Sequence, residues 1–343
     1  MCRTFERRFS RTLPHSDVSR INRAGGAWTR IDPRTAELIE AALRYCAASE
    51  GMFDITVGPL IRLWNWRRRI VPTDEAIAEA LQHAGFRGIE VRRGVGTGKA
   101  SCRLRDPQAT IDLGGIAKGW IADRLAEELK SAGYADFLID LSGNVVMHGN
   151  PSPSRDWTVA ISNPSDPATA AVTLHASSST RSSQETTVTR QYPQPCVELR
   201  SPTGRQTAVT QHDHAHIVEL RSFQLLHATV TQHKTDDVVK LRSLAPAIPI
   251  PSDVSVVTSG IYERRFVANG TVYHHILDPR NGYPMRTDLA SATVIARTSL
   301  DAEGYSTTLL ALGSTRAAAY VQSHPQILAA LLIRDDGSSM SLH

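Results

Sequence analysis

The groups most able to do chemistry in this chain sit in one short turn. Asp112-Leu113-Gly114-Gly115-Ile116-Ala117-Lys118-Gly119 follows an extended run, Ala109-Thr110-Ile111, and leads into a stretch of helical period beginning at Trp120. Strand, glycine-rich turn and helix are the elements this order predicts. Glycines at 114, 115 and 119 let the backbone approach a ligand closely and leave N–H groups free at a helix N-terminus. Asp112 adds a metal-seeking carboxylate and Lys118 a phosphate-seeking cation. A second stretch, Met52-Phe53-Asp54-Ile55-Thr56-Val57-Gly58-Pro59-Leu60, reads as an apolar loop with a single aspartate, whose simplest role is to cap backbone amides.

The elements that must hold these groups follow from periodicity. Residues 34–50 place Leu38, Ile39, Ala42, Leu43 and Cys46 on one face of an amphipathic helix that Gly51 ends. Residues 73–84 form another helix, with strands expected at Phe86–Val91, Ser101–Leu104, Phe137–Leu141, Trp157–Ile161, Ala292–Ala296 and Ile327–Ile333. Asn269-Gly270 between two apolar runs is a hairpin turn. Helices are expected over Asp301–Leu312 and 315–323.

With 343 residues, 41% hydrophobic and 21% charged, the chain has the composition of a soluble protein with a sizeable core. The net charge of +4 suits an anionic small molecule; the run Trp64-Asn65-Trp66-Arg67-Arg68-Arg69 is too short to indicate specific nucleic-acid binding. The four cysteines, Cys2, Cys46, Cys102 and Cys196, show no metal-ligand spacing. No apolar run is long enough for an integral membrane segment. The N-terminus lacks a signal peptide's apolar core, so the chain as written is expected in the cytoplasm, and anchored or exported if its true start lies upstream.

Residues 175–250 change character. Val188-Thr189, Val209-Thr210 and Val230-Thr231 recur at a spacing of 21, as do Val197–Ser201, Val218–Ser222 and Val239–Ser243. This is read as a low-complexity insertion of three repeats. It interrupts one catalytic domain, formed by residues 1–174 and 251–343. His212, His214 and His216 fall in the insertion and are read as incidental.

Six stretches, in order, resemble the ApbE family, the FAD:protein FMN transferases. They are Ser16–Asn22, Phe53–Leu60, Asp112–Gly119, Thr258-Ser259-Gly260, His275–Pro284 and the Asp301–Gly313 helix. The resemblance implies an α+β fold related to the T-fold, a mixed sheet with flanking helices and FAD in a central cleft. It implies FAD as substrate, Mg2+ as cofactor, and as partner an acceptor flavoprotein with a threonine-containing flavinylation motif. Magnesium would be held by the Gly115 carbonyl, Glu303 and Thr307, with Asp301 as a second-shell partner. FAD would contact Thr12, Met52, Phe53, Asp54, Asp112, Lys118, Ser259, Gly260, His275, Ile276 and Asp278, and His275 would take the acceptor's proton. Glu303 stands where the family more often has aspartate, Thr12 where it often has an aromatic, and Asn281 where threonine is common. Only eight residues precede Phe9, where relatives carry a further strand and most of a helix, so bare core surface is expected at that end. An FAD-binding protein without transfer and an FAD pyrophosphatase are the alternatives.

Overall fold

Strand β12 (Leu289–Ala296) is buried along its whole length, because small and branched residues cover both of its faces. In the computed structural model, which describes residues 2–94, 98–150, 157–177 and 247–343, β12 lies inside a six-stranded sheet. The order is β14 (Ser339–Leu342), β13 (Ile327–Arg334), β12, β9 (Ser255–Gly260), β5 (Asn144–His148) and β4 (Phe137–Asp140). Every pair in it is antiparallel. The mixed pairing expected from the sequence occurs elsewhere: β6 (Trp157–Asn163), β7 (Asp166–Ser177) and β8 (Ala247–Pro251) form a separate sheet in which β7 and β8 run parallel. The repeats and the three histidines between these last two strands lie outside the described residues.

The large sheet separates two cores by the alternation of its side chains. Ala292, Val294, Val257, Val146 and Leu332 join the helix-side core. Their neighbours Ile295, Val256, Val145, Met147 and Ile333 pack on Val159, Ile161, Val172 and Leu174 of the smaller sheet. The result is three layers: helices, large sheet, small sheet. Helices α6 (Ala117–Ser131) and α7 (Ser299–Ser323) make up the helical layer. The two helices expected between 301 and 323 are the halves of α7, broken at Gly313, whose φ of 74° lies outside the helical region.

Two smaller units complete the walls of the site. Helix α3 (Pro33–Ala48) packs on the sheet β1 (Thr29–Ile31), β3 (Ala100–Leu104) and β2 (Ile89–Arg93). The expected strand at Phe86 begins instead with a 3-10 turn, Phe86–Gly88. Helices α4 (Gly58–Leu63) and α5 (Asp74–Leu81) share a cluster of Leu60, Trp64, Ile77 and Phe266 with the hairpin β10 (Arg265–Ala268) and β11 (Thr271–His274). That hairpin turns at Asn269 and Gly270, both at positive φ (50° and 75°), as a type I′ turn requires. The stretch before the Phe9-Ser10 turn does not leave core bare. It forms α1 (Cys2–Phe9), whose Phe5 and Phe9 pack edge-on to Trp120 at 5.1 and 5.4 Å. Among the described residues no helix is long and apolar enough to cross a membrane.

The site is set by where α6 and α7 cross. Gly119 is the contact point: a Cβ there would overlap the Ser299 carbonyl and lie 2.9 Å from the Leu300 Cα. Both obstacles are backbone and cannot rotate away. Gly119→Ala is therefore expected to destabilise the fold by about 1–3 kcal/mol, the usual range for overpacking. Gly88→Ala, which meets nothing within 4 Å, should change stability by less than about 0.5 kcal/mol. Urea unfolding of the two variants side by side checks this.

Candidate active site

The turn before α6 is held from both sides. The Asn22 amide, carried on α2 (Asp17–Arg23), brackets Ile111: its Nδ2 donates to the Ile111 carbonyl (2.9 Å) and its Oδ1 accepts the Ile111 N–H (2.8 Å). The Asp112 N–H donates to the Ile55 carbonyl at 2.8 Å. Asp112 Oδ1 then accepts the Gly114 N–H (2.8 Å), while Oδ2 pairs with Arg11 Nε at 2.8 Å. The Gly115 Cα faces Phe53, since a Cβ on it would come 3.3 Å from that ring. Phe53 is buried and its N–H is held by the Ser49 hydroxyl at 3.0 Å.

At the crossing, each helix supplies a carboxylate to the other's N-terminus. Glu303 of α7 accepts the Gly119 N–H in the first turn of α6 at 2.5 Å. Asp123 of α6 accepts the Ser299 and Leu300 N–H groups at the start of α7, at 2.7 and 3.0 Å. Each thus satisfies amides that a helix start leaves unpaired, where the helix dipole favours negative charge. Glu303 is only 4% exposed, and burial pushes its carboxyl up against the opposing pull of Lys118 and the Gly119 amide. Lys118 Nζ stands 3.8 Å from Glu303 Oε1. Burial likewise raises Asp123, to about 6, although its two backbone hydrogen bonds act the other way.

Hydroxyls gather beside Glu303. Ser259 Oγ lies 2.8 Å from Ser306 Oγ and 3.0 Å from Thr307 Oγ1, and Ser306 donates to the Glu303 carbonyl at 3.1 Å. Gly260 follows on β9, its Cα against the Tyr262 ring. His274 ends β11 and His275 follows it, and the Nδ1 of each is buried without a hydrogen-bond partner. His274 is buried and its Nε2 contacts the Met285 carbonyl at 2.9 Å, a structural role. His275 is fixed through its backbone N–H to the Arg264 carbonyl (3.1 Å), and its buried Nδ1 has no partner. Burial lowers His275 to about 4, with the charges of Arg264, His274 and Lys118 adding to the effect. The imidazole is therefore neutral at pH 7, and the same surroundings that keep it neutral disfavour its protonated form.

The structure pairs several of the positions that the sequence singled out. Gly115 meets Phe53, Lys118 meets Glu303, and Ser259 meets Thr307. Met52 and Ile276 share a small apolar cluster with Met285 and Ala311. Thr12 sits exposed in the turn beside Arg11, bonded to Ser10 at 3.0 Å. Three carboxylates are engaged within the protein. Asp54 holds the Thr56 and Phe86 amides, the capping role its loop suggested. Asp301 accepts from Tyr45 (2.7 Å) and from the N-cap Thr298 (2.6 Å). Asp278 is gripped by Arg280 through two oxygens, 2.9 and 2.7 Å; burial opposes its ionisation, but Arg280 outweighs it and holds the carboxyl low. Sequence reasoning missed Arg11, Asp123 and Tyr45. Their partners are more than 100 residues away in each case, and no local spacing announces them.

Among solved structures, two ApbE proteins share this fold. The ApbE protein of Thermotoga maritima superposes with a TM-score of 0.69 at 24% identity, over 99% of this chain and 85% of that one. The flavin transferase ApbE of Vibrio cholerae gives 0.65 at 23% identity, over 99% and 85%. The class is thus the α+β fold of these two ApbE structures. The chain belongs to the ApbE family, whose model matches residues 1–193 and 229–332. The FAD:protein FMN transferase of Treponema pallidum is 28% identical over 323 residues, 91% of this chain and 69% of the relative. That of Vibrio cholerae serotype O1 is 23% identical over 332 residues, 94% and 74%.

The capping of α7 by Asp123 has a pH signature. A carboxyl raised from 3.8 to about 6 on folding makes the folded state bind more protons, so its contribution is greatest at low pH and is lost as pH rises through 6. Asp123→Asn removes that titration and one of the two acceptors. The variant should lose stability relative to the wild type at pH 5, and the deficit should shrink towards pH 7.5 as the wild-type carboxyl ionises. Melting temperatures of the pair across this range would refute the assignment if the margin stayed constant.

Proposed function

We propose that the chain is an FAD:protein FMN transferase. It binds FAD through the Asp112–Gly119 turn, the Met52–Asp54 loop and the His275–Asp278 segment, and transfers FMN to a threonine hydroxyl of an acceptor flavoprotein. The acceptor oxygen forms a bond to the FMN phosphorus, the bond from that phosphorus to the AMP oxygen breaks, and AMP leaves. The hydroxyl proton goes to His275, whose neutral imidazole is the base in reach. The observation that carries this reading is the meeting of Lys118 and Glu303 under the N-terminus of α6, beside the hydroxyls of Ser259 and Thr307.

The donor set there fits magnesium. Glu303, Thr307 and the Gly115 carbonyl offer hard oxygens and no thiol, and one carboxylate suffices for an ion that keeps waters and takes substrate phosphate oxygens. Among the described residues no group of three or more His, Cys, Asp or Glu side chains is placed to hold a metal ion by itself. When bound, the ion would neutralise charge on the pyrophosphate. The rest falls to the chain's own groups. Lys118 offers a cation to the phosphates, and the α6 amides face negative charge. The low pKa of His275 arises from burial and neighbouring cations, so an arriving anion offsets part of that effect and makes the imidazole a stronger base.

Purified protein incubated with FAD, Mg2+ and an acceptor carrying a flavinylation threonine should add one FMN to the acceptor and release AMP, read by intact mass and chromatography. His275→Asn should lower transfer roughly 100-fold or more, as loss of a general base does, while FAD is retained. Thr307→Ala should lower transfer roughly 10- to 100-fold. AMP release with an unmodified acceptor would replace transfer by hydrolysis.

A further inference from the structure

Two arginines that the proposed reaction leaves unused converge on the turn before α6. Arg11 pairs through Nε with Asp112 Oδ2 at 2.8 Å, and its side chain is 41% exposed. Asp112 is fixed in turn by the Gly114 amide, so Arg11 is held by one edge and its Nη groups remain for another acceptor. Arg62, in the last turn of α4, donates from Nη1 to the Thr110 hydroxyl at 2.7 Å. Among the described residues no carboxylate pairs with it. Thr110 and Asp112 are alternate residues of one extended segment, bonded on the Val57 side, so their side chains lie on the same face.

The two guanidiniums are close enough to affect each other. Burial lowers Arg62, and the charge of Arg11 lowers it further. Two cations held side by side, one of them facing only a neutral hydroxyl, form an arrangement whose repulsion an anion would relieve. Guanidinium forks match phosphate oxygens two at a time.

We propose that Arg11 and Arg62 form a clamp for a phosphate or pyrophosphate group, the diphosphate of the dinucleotide substrate. The assignment of substrate rests on the transferase reading; the clamp itself does not. Asp112 then has a positioning role as well, presenting Arg11. Specificity follows from this: the site reads charge on phosphate, and ligands lacking phosphate gain nothing from it.

The test is calorimetric titration of inorganic pyrophosphate and of FAD into the full chain, as wild type, Arg11→Gln, Arg62→Gln and Arg62→Lys, with melting temperatures measured alongside. Both glutamine variants should bind pyrophosphate and FAD roughly 10- to 100-fold more weakly, the loss expected for a charged hydrogen bond. Arg62→Lys should recover part of the loss, and melting temperatures should stay at the wild-type value. Unchanged affinity for pyrophosphate in both glutamine variants overturns the clamp, as does a wild type that binds FAD but no pyrophosphate. Weaker binding that tracks a fall in melting temperature also overturns it, since the arginines would then be structural. Arginine-dependent pyrophosphate binding without FMN on the acceptor would leave the clamp standing and remove the transferase reading. Transfer with unaltered affinities would do the reverse.

Discussion

The site depends on one close crossing. α6 and α7 approach at Gly119 so tightly that backbone meets backbone, and the approach brings two helix N-termini side by side. Unpaired amides at both starts would be costly in so buried a place. Each helix answers with a carboxylate from its neighbour, Glu303 to α6 and Asp123 to α7. The exchange locks the rotation and the height of both helices at once, because moving either one breaks contacts at both starts. Everything placed on them, Lys118, Ser306 and Thr307 included, inherits that fixed geometry.

The same crossing sets the electrostatics. Glu303 is buried enough that its charge needs company, and Lys118 together with the Gly119 amide supplies it. Lys118 also depresses His275, after the larger effects of burial, Arg264 and His274. In a low-dielectric pocket these influences are strong, and one anion entering would act on all of them together. Glutamate rather than aspartate at 303 suits this geometry: the longer side chain spans from α7 to the first turn of α6.

Local pattern made much of this legible. The glycine turn, the amphipathic period of α3, the Asn269-Gly270 hairpin and the break in α7 at Gly313 all rest on interactions within a few residues. The run of apolar and small residues at Ala292–Ala296 marked a buried strand but not its two faces. What pattern did not reveal is what depends on distant partners. The antiparallel order of the main sheet comes from pairings such as Asn144 with Val257. Asp123 reads as an ordinary polar position in a helix until Ser299 is placed against it. Asp278 and Asp301 are singled out by type and position; that Arg280, Tyr45 and Thr298 share their oxygens is visible only in the fold.

The parallel pairing of β7 with β8 has a consequence for how this chain can be cut. Thr173 lies opposite Ala247 and Ser177 opposite Pro251, so a chain leaving β7 must travel back along the pair before it can enter β8. A two-residue turn cannot make that return; parallel neighbours need a crossover of about a dozen residues. The polar repeats between them can therefore be shortened but not excised down to a tight turn.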